Sequence, residues 1–180
     1  ASDVYKRQEF DGIYQYSDFY SVPGSSTLVL KEGVTSNPSL GNRLAPGAVK
    51  YKDQDGDGVI TTKDRTVIGN ALPKWYGGIT NTFNYKGIDF SFMLQFNYGN
   101  DIYNATRLYA TQTNTQRRNQ LAEVADRWSP TNASNKVPSY NGYVVNDVYS
   151  RFVEDGSFLR LKNITLGYTP VSYTHLRAHE

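Results

Sequence analysis

IDFSFMLQFNY, from Ile88 to Tyr98, alternates apolar and polar residues without a break. Ile88, Phe90, Phe92, Leu94, Phe96 and Tyr98 share one parity; Asp89, Ser91, Met93, Gln95 and Asn97 share the other. Successive side chains of a strand point to opposite faces, so this is a strand with one apolar face. Strands of soluble proteins commonly have about 5–6 residues, whereas a strand crossing a bilayer at a tilt needs about 9–11. The preceding WYGGITNTFNY, Trp75 to Tyr85, repeats the pattern. Trp75, Gly77, Ile79, Phe83 and Tyr85 lie on one face, interrupted by Asn81, and Tyr76, Gly78, Thr80, Thr82 and Asn84 on the other. Lys86-Gly87 joins the two runs as a tight turn. The expectation is a hairpin with Ile79, Phe90, Phe92 and Leu94 toward lipid, and Thr80, Ser91 and Gln95 toward a lumen. Aromatics stand at both ends, as interfacial girdles require. A long hairpin of a soluble sandwich or lectin is the competing reading.

A third run, SFLRLKNITLGY (Ser157 to Tyr168), slips in phase. Leu159 and Leu161 have one parity, Ile164, Leu166 and Tyr168 the other, and a β-bulge near Lys162-Asn163 reconciles them. Loop lengths then orient the sheet. The Lys86-Gly87 turn is two residues, while residues 13–73 and 100–150 form long polar stretches. Outer-membrane barrels have short periplasmic turns and long extracellular loops, which places the hairpin tip in the periplasm and both long stretches outside. Within the second, QLAEVADRW sets Leu121, Val124, Ala125 and Trp128 at helical spacing, the expected short loop helix, ended by Pro130.

Composition agrees with strands and long loops. Tyrosine is the outlier, 15 of 180 residues. With a mean hydropathy of −0.58, no apolar run approaches the roughly 20 residues of a membrane helix. A net charge of +2 is too balanced for a nucleic-acid surface. Cysteine is absent, which excludes disulfides, zinc thiolates and thiol nucleophiles. His175 and His179 are the two histidines, so a serine nucleophile elsewhere lacks a base and no enzyme is expected. Both lie in VSYTHLRAHE, which, like ASDVYKRQ at the start, resembles translated adapter sequence. Residues 1–8 and 171–180 are therefore read as non-native tails, and 9–170 as the structural part.

YKDQDGDGVITTKD, Tyr51 to Asp64, fits a twelve-position calcium loop. Asp53, Asp55 and Asp57 occupy positions 1, 3 and 5, Gly58 the sharp turn at 6, the Val59 carbonyl position 7, Thr61 position 9, and Asp64 replaces the usual glutamate at 12. Ile60, at position 8, points inward. Hard carboxylates at this spacing suit calcium over zinc or copper. A metal-free Asp/Gly turn has the same composition. LAPGAVKY before the loop carries Pro46 and Gly47, which speaks against a helix–loop–helix pair. Glu154-Asp155, adjacent carboxylates, read as a strand entry, not as facing glycosidase acids.

These segments together resemble the C-terminal barrel region of SusC/RagA-type TonB-linked outer-membrane transporters. The resemblance rests on the Asp/Gly loop, the RTVIGN-x-x-P run, the YKG-x-DFS turn and EDGSFLRLKNITLGY, in that order, and covers most of residues 10–170. It implies an all-β chain, part of a transmembrane antiparallel barrel that has 22 strands in the family, with a plug outside this sequence. It also implies residence in the outer membrane, a SusD-type surface lipoprotein as lid, and import of oligosaccharides or peptides powered by TonB through the plug. The alternative is a soluble, secreted, calcium-stabilised carbohydrate-binding β module.

Overall fold

The structure, a computed structural model, describes residues 4–112, 119–143 and 147–170. In chain order its strands are β1 (Val4–Arg7), β2 (Phe10–Ile13), β3 (Phe19–Ser21), β4 (Leu28–Leu30), β5 (Val49–Tyr51), β6 (Thr66–Asn70), β7 (Trp75–Tyr85), β8 (Ile88–Tyr98), β9 (Asp101–Tyr103), β10 (Val153–Asp155) and β11 (Phe158–Tyr168), and one α-helix, α1, spans Ala105–Thr111. They fall into two compact units. One comprises residues 1–71 and 101–155, the other 72–100 and 156–180.

The first unit is made of the two long polar stretches, folded around a common core. Among the described residues its strands pair two by two, β1 with β6, β2 with β5, β3 with β4 and β9 with β10, all antiparallel. What holds them is an aromatic centre. Tyr14, Tyr51, Tyr149 and Phe152 are fully or almost fully buried, with Leu40, Val49, Ile60 and Leu108 around them. The Tyr149 ring lies 5.3 Å from Tyr51, 4.9 Å from Phe152 and 5.7 Å from Phe10. A buried phenol needs a partner for its hydroxyl. Tyr51 donates to the Asp147 carboxylate at 2.5 Å and Tyr14 to the Thr35 carbonyl at 2.5 Å. Burial pushes the Tyr149 hydroxyl up to about 12, against the opposing pull of Arg151. Tyrosine gives loop-rich chain both apolar area and a polar terminus that loops can satisfy. Gly47 shows how tightly this unit closes. It has φ +92°, and a Cβ there would stand 2.5 Å from the Trp128 ring.

The helix expectation is corrected. Residues 122–126 form a single 3-10 turn, and Leu121 before it is extended and exposed. The segment cannot continue as a helix because Arg127 and Trp128 pair with Val137: the Trp128 N–H donates to the Val137 carbonyl at 2.8 Å. The α-helix is instead Ala105–Thr111, seven residues long. Asn104 caps it, accepting from the Arg107 N–H at 2.8 Å. Only Leu108 and Thr111 are buried, too few to leave a periodic signal in sequence. Arg107 forks onto both Glu123 oxygens, each at 2.9 Å, and reaches Glu154 at 3.1 Å. Arg151 adds a bond to Glu123 at 3.2 Å. The bidentate geometry ties three separate chain segments together. Its hydrogen bonds hold the Glu123 carboxyl below the usual range, outweighing its partial burial. Residues 4–8, set aside as a tail, take part in this unit: β1 pairs with β6, and the Gln8 amide donates to the Thr61 carbonyl at 2.7 Å. His175 and His179 lie outside the described residues.

The second unit is one antiparallel sheet in the order β11-β8-β7. All three strands are eleven residues long. β7 and β8 pair in unbroken register from Trp75↔Tyr98 to Tyr85↔Ile88. Lys86 and Gly87 have φ of 46° and 81°, the positive angles of a primed hairpin turn. Glycine is required at the second position, since a Cβ would lie 2.5 Å from the Thr169 carbonyl. β11 pairs with β8 with a register shift between Leu161 and Asn163, where the sequence phase slips. No residue of the three strands is buried. The outer edges of β7 and β11 have no strand neighbour among the described residues.

A sheet with an exposed apolar face and two open edges associates in water. Size-exclusion chromatography of the 180-residue chain without detergent should therefore give aggregates, and detergent should disperse them. A sharp monomer peak in plain buffer with cooperative thermal unfolding would contradict this.

Candidate functional site

The acidic loop follows β5 in the first unit. Positive φ at Gly56 and Gly58, 74° and 81°, lets the backbone curl back on itself. The carboxylates of Asp53, Asp55 and Asp57 thereby converge, with one oxygen of each within 4.8 Å of the others. Each also braces the loop. Asp53 accepts from the N–H groups of Gly56 and Gly58 at 2.6 and 2.8 Å, Asp55 from Asp57 at 3.3 Å, and Asp57 from Val59 at 2.8 Å. The far side of the loop is pinned by Ser36, whose N–H donates to the Gly58 carbonyl and whose carbonyl accepts from Ile60, both at 2.8 Å. The Gly58 carbonyl is the engaged one, so that bond makes no use of the neighbouring Val59 carbonyl. Ile60 is 4% exposed and joins the aromatic core, the inward position expected for it.

Asp64 is placed differently. It is completely buried and lies outside the three-carboxylate group. One of its oxygens accepts from the Gln54 N–H at 2.9 Å, the other from the Thr61 N–H at 2.7 Å and the Thr61 hydroxyl at 3.3 Å. Burial alone would raise its pKa, but the N–H groups of Thr61, Gln54 and Asp55 together hold it below the usual carboxylate value. Asp64 thus closes the loop from inside by joining its first turn to its last. The structure brings Asp53, Asp55 and Asp57 together and leaves Thr61 and Asp64 as their support.

The second candidate surface is the sheet itself. Register sorts its side chains into two faces. On one, Trp75, Ile79, Phe83 and Tyr85 of β7 stand beside Tyr98, Phe96, Leu94, Phe92, Phe90 and Ile88 of β8. The bulge in β11 brings Leu159, Leu161, Ile164, Leu166 and Tyr168 onto this same face, and Asn81 is its polar exception. Phe83, Phe90 and Phe92 form a contiguous patch with ring centroids 5.9–6.4 Å apart. Ten residue steps of about 3.4 Å give a strand of about 34 Å, and a tilt of about 45° reduces its height to about 24 Å. That matches the apolar band of about 25 Å on membrane barrels. Trp75 and Tyr98 mark one end, Tyr85 and Tyr168 the other, and Lys86 lies 5.3 Å from the Tyr85 ring centroid beside the turn. The opposite face carries Thr80, Thr82, Ser91, Gln95, Asn97, Arg160 and Thr165, with Tyr76, Met93 and Phe158 among them. Sequence reasoning assigned the faces of β7 and β8 but did not single out Tyr76 and Phe158, which only pairing to Asn97 from both sides makes neighbours of one residue.

The chain is similar to several known proteins. The TonB-dependent receptor P26 of Formosa agariphila is 43% identical over 124 residues, 68% of this chain. The TonB-dependent receptor P3 of the same organism is 33% identical over 160 residues, 89% of this chain. The TonB-dependent receptor SusC of Bacteroides thetaiotaomicron is 28% identical over 119 residues, 66% of this chain. The chain spans 12%, 14% and 11% of their respective lengths. Among solved structures, the RagAB peptide importer in its closed-closed state matches 93% of this chain and 16% of its own, with a TM-score of 0.61 at 20% identity, a likeness of fold. No family profile matches the chain.

Asp64→Asn tests the inner clamp. The substitution keeps the shape but weakens an acceptor for buried N–H groups, a loss on the order of 1–3 kcal/mol. At neutral pH the variant loop, residues 53–64, should be cut faster by protease. Because the folded-state pKa is depressed, the stabilisation is present above the unfolded value of about 3.9 and disappears as pH falls through the folded value. The two proteins should therefore differ from pH 7 down to about 4 and converge only as pH falls on through the lower folded value. An unchanged difference at acid pH would refute the assignment.

Proposed function

The chain belongs to the TonB-dependent receptors of the SusC/RagA type, and from that premise we propose that it builds a wall segment of an outer-membrane importer. The observation that carries this is the uninterrupted apolar face shared by β7, β8 and β11, one membrane span tall and aromatic at both ends. In this reading Ile79, Phe90, Phe92 and Leu94 meet lipid, and Thr80, Ser91 and Gln95 meet the lumen. The Lys86-Gly87 turn lies in the periplasm, and the unit built from residues 1–71 and 101–155 lies outside the cell. Closure by further strands supplies the backbone partners that the edges of β7 and β11 require in hydrocarbon. The role is transport, with substrate captured from outside and released inward after a TonB-driven plug rearrangement. A SusD-type lipoprotein lids the barrel, and oligosaccharides or peptides are the cargo. Membership of this family disfavours a free-standing soluble module.

Within that reading the acidic loop holds one structural calcium ion. Asp53, Asp55 and Asp57 offer a fitting set of three convergent carboxylates, to which the loop pattern adds the Val59 carbonyl. Bound calcium would neutralise three carboxylates crowded into one turn. Thr61 and Asp64 keep the loop closed around them. Extracellular modules of this kind bind at about 10⁻⁴–10⁻³ M, enough to order a loop in calcium-containing surroundings.

Two measurements test these assignments. In the intact receptor, Phe92→Arg places a cation near the middle of the lipid face, costing about 2–4 kcal/mol. It should abolish the heat-modifiable, folded band on gels, while Ser91→Arg, one residue away on the lumen face, should leave most of it. The reverse order would invert the faces. For the loop, Asp55→Ala combined with Asp57→Ala should raise protease sensitivity only when millimolar calcium is present. Equal digestion of both proteins in calcium would remove the ion from the account.

A further inference from the structure

Asn141 is the one asparagine of the sequence that a glycine follows. It sits in a turn at Tyr140-Asn141, closed by the Gly142 N–H, which donates to the Ser139 carbonyl at 3.0 Å. The turn is clasped to the chain around Gly47. The Ser139 N–H donates to the Gly47 carbonyl at 2.8 Å, and the Gly142 carbonyl accepts from the Val49 N–H at 2.5 Å. Gly47 is tied in turn to the Tyr14 carbonyl, to which its N–H donates at 2.7 Å.

Space, not backbone angle, dictates glycine at 142. A Cβ there would lie 2.1 Å from the Gly47 carbonyl oxygen and 2.7 Å from the Ser139 hydroxyl. A larger residue cannot occupy 142 while the clasp is closed. Packing therefore sets beside Asn141 the residue that least hinders attack on its side chain, since glycine has no Cβ and the freest backbone.

The chemistry open to this pair is ring closure followed by hydrolysis. The Gly142 amide nitrogen loses its proton to hydroxide and attacks Cγ of Asn141. A bond forms between that nitrogen and Cγ, the bond from Cγ to Nδ2 breaks, and ammonia leaves. The product is a five-membered succinimide. Water then adds to one of its two carbonyls. Cleavage of the new bond to Cγ gives aspartate, and cleavage of the original peptide bond gives isoaspartate. Asparagine and water become acid and ammonia, with no change of oxidation state. The closed turn opposes the first step. Its attacking N–H is committed to the Ser139 carbonyl, and Gly142 cannot swing toward Cγ while its own carbonyl is held by Val49.

We propose that Asn141 is a self-modification site gated by this clasp, stable while the turn rests on Gly47 and deamidated when that part of the first unit opens. Opening is local, so it does not require the rest of the unit to unfold. Isoaspartate inserts an extra methylene into the backbone between residues 141 and 142, and both products add a carboxylate. The added length displaces the Gly142 carbonyl from Val49, the first residue of β5, and displaces the next residue, Tyr143, which is 4% exposed and part of the core. The change is covalent, so a chain that has opened long enough to react no longer recloses as before. Asn141 thereby records opening.

The test follows Asn141 by mass spectrometry in the intact receptor, held in detergent at mildly alkaline pH in heavy-oxygen water, beside the free peptide Ser-Tyr-Asn-Gly-Tyr. The label enters with the hydrolytic water, and chromatography separates isoaspartate from aspartate. Deamidation in the folded receptor should be at least about tenfold slower than in the peptide, because only the opened fraction reacts. Gly47→Ala should bring the rate toward that of the peptide, since its Cβ would stand 2.5 Å from the Trp128 ring and force the clasp apart. Barrel integrity is checked by heat-modifiable mobility. Wild type in urea too dilute to unfold the barrel should accelerate likewise, and it covers the case in which the variant fails to assemble. A folded receptor reacting as fast as the peptide would overturn the gate. An Asn141 left unmodified in the fully unfolded receptor would overturn the site, and a rate unmoved by urea, or by Gly47→Ala in an assembled barrel, would overturn the clasp.

Discussion

A strand that crosses hydrocarbon must find every backbone partner in another strand, because its surroundings offer none. In the wall-segment reading proposed above, that requirement organises the second unit. β7 and β8 pair residue for residue over their full eleven positions, and the tight turn at Lys86-Gly87 sets the register. A slip of one residue would send Phe90, Phe92 and Leu94 to the polar face and Ser91 and Gln95 to the apolar one. The bulge in β11 is the device that keeps the same rule on a strand whose sequence breaks phase. It spends one residue at position 162 so that Ile164, Leu166 and Tyr168 rejoin Leu159 and Leu161.

The first unit answers a different constraint. Its chain is mostly loop, and buried loops carry polar backbone that must be satisfied. Short strand pairs take part of that demand, and side chains take more. Asn135 accepts from the Ile13 N–H at 2.7 Å, Ser150 from Phe10 at 2.8 Å, and Asp64 serves both ends of the acidic loop. Buried tyrosines add apolar area while keeping a hydroxyl for a neighbouring carbonyl or carboxylate. The Arg107–Glu123 fork and its links to Arg151 and Glu154 then join segments far apart in sequence.

The acidic loop shows the two layers of such a design. Asp53, Asp55 and Asp57 stand at the surface where a cation can reach them, and their oxygens already order the turn. Asp64 sits beneath, sealed from water and held ionised by the N–H groups around it. A carboxylate near the end of a calcium-loop pattern is therefore a structural member here before it is anything else.

Period, length and turn chemistry were enough to read β7, β8 and β11 from sequence, with the bulge placed within a residue. Alternation is a local property, and a membrane-length apolar face leaves few alternatives. The aspartate spacing likewise announced its cluster, because residues 53–57 are too close in the chain for tertiary structure to separate them. Tertiary structure alone decided the rest. The stretch Leu121–Trp128 has helical spacing, but pairing of Arg127 and Trp128 with Val137 pulls its end into extended chain. The helix forms at Ala105–Thr111, where an Asn cap and the Arg107 ion pairs supply what periodicity did not. Asp64, read from its position as a ligand, is buried with its oxygens accepting from the Gln54 and Thr61 amides, contacts that the sequence did not announce. Tyr76 and Phe158, remote in sequence, flank one amide only because β7 and β11 pair with opposite edges of β8. Local patterns are written in neighbouring residues, whereas contacts between distant segments depend on which partners the folded chain brings within reach.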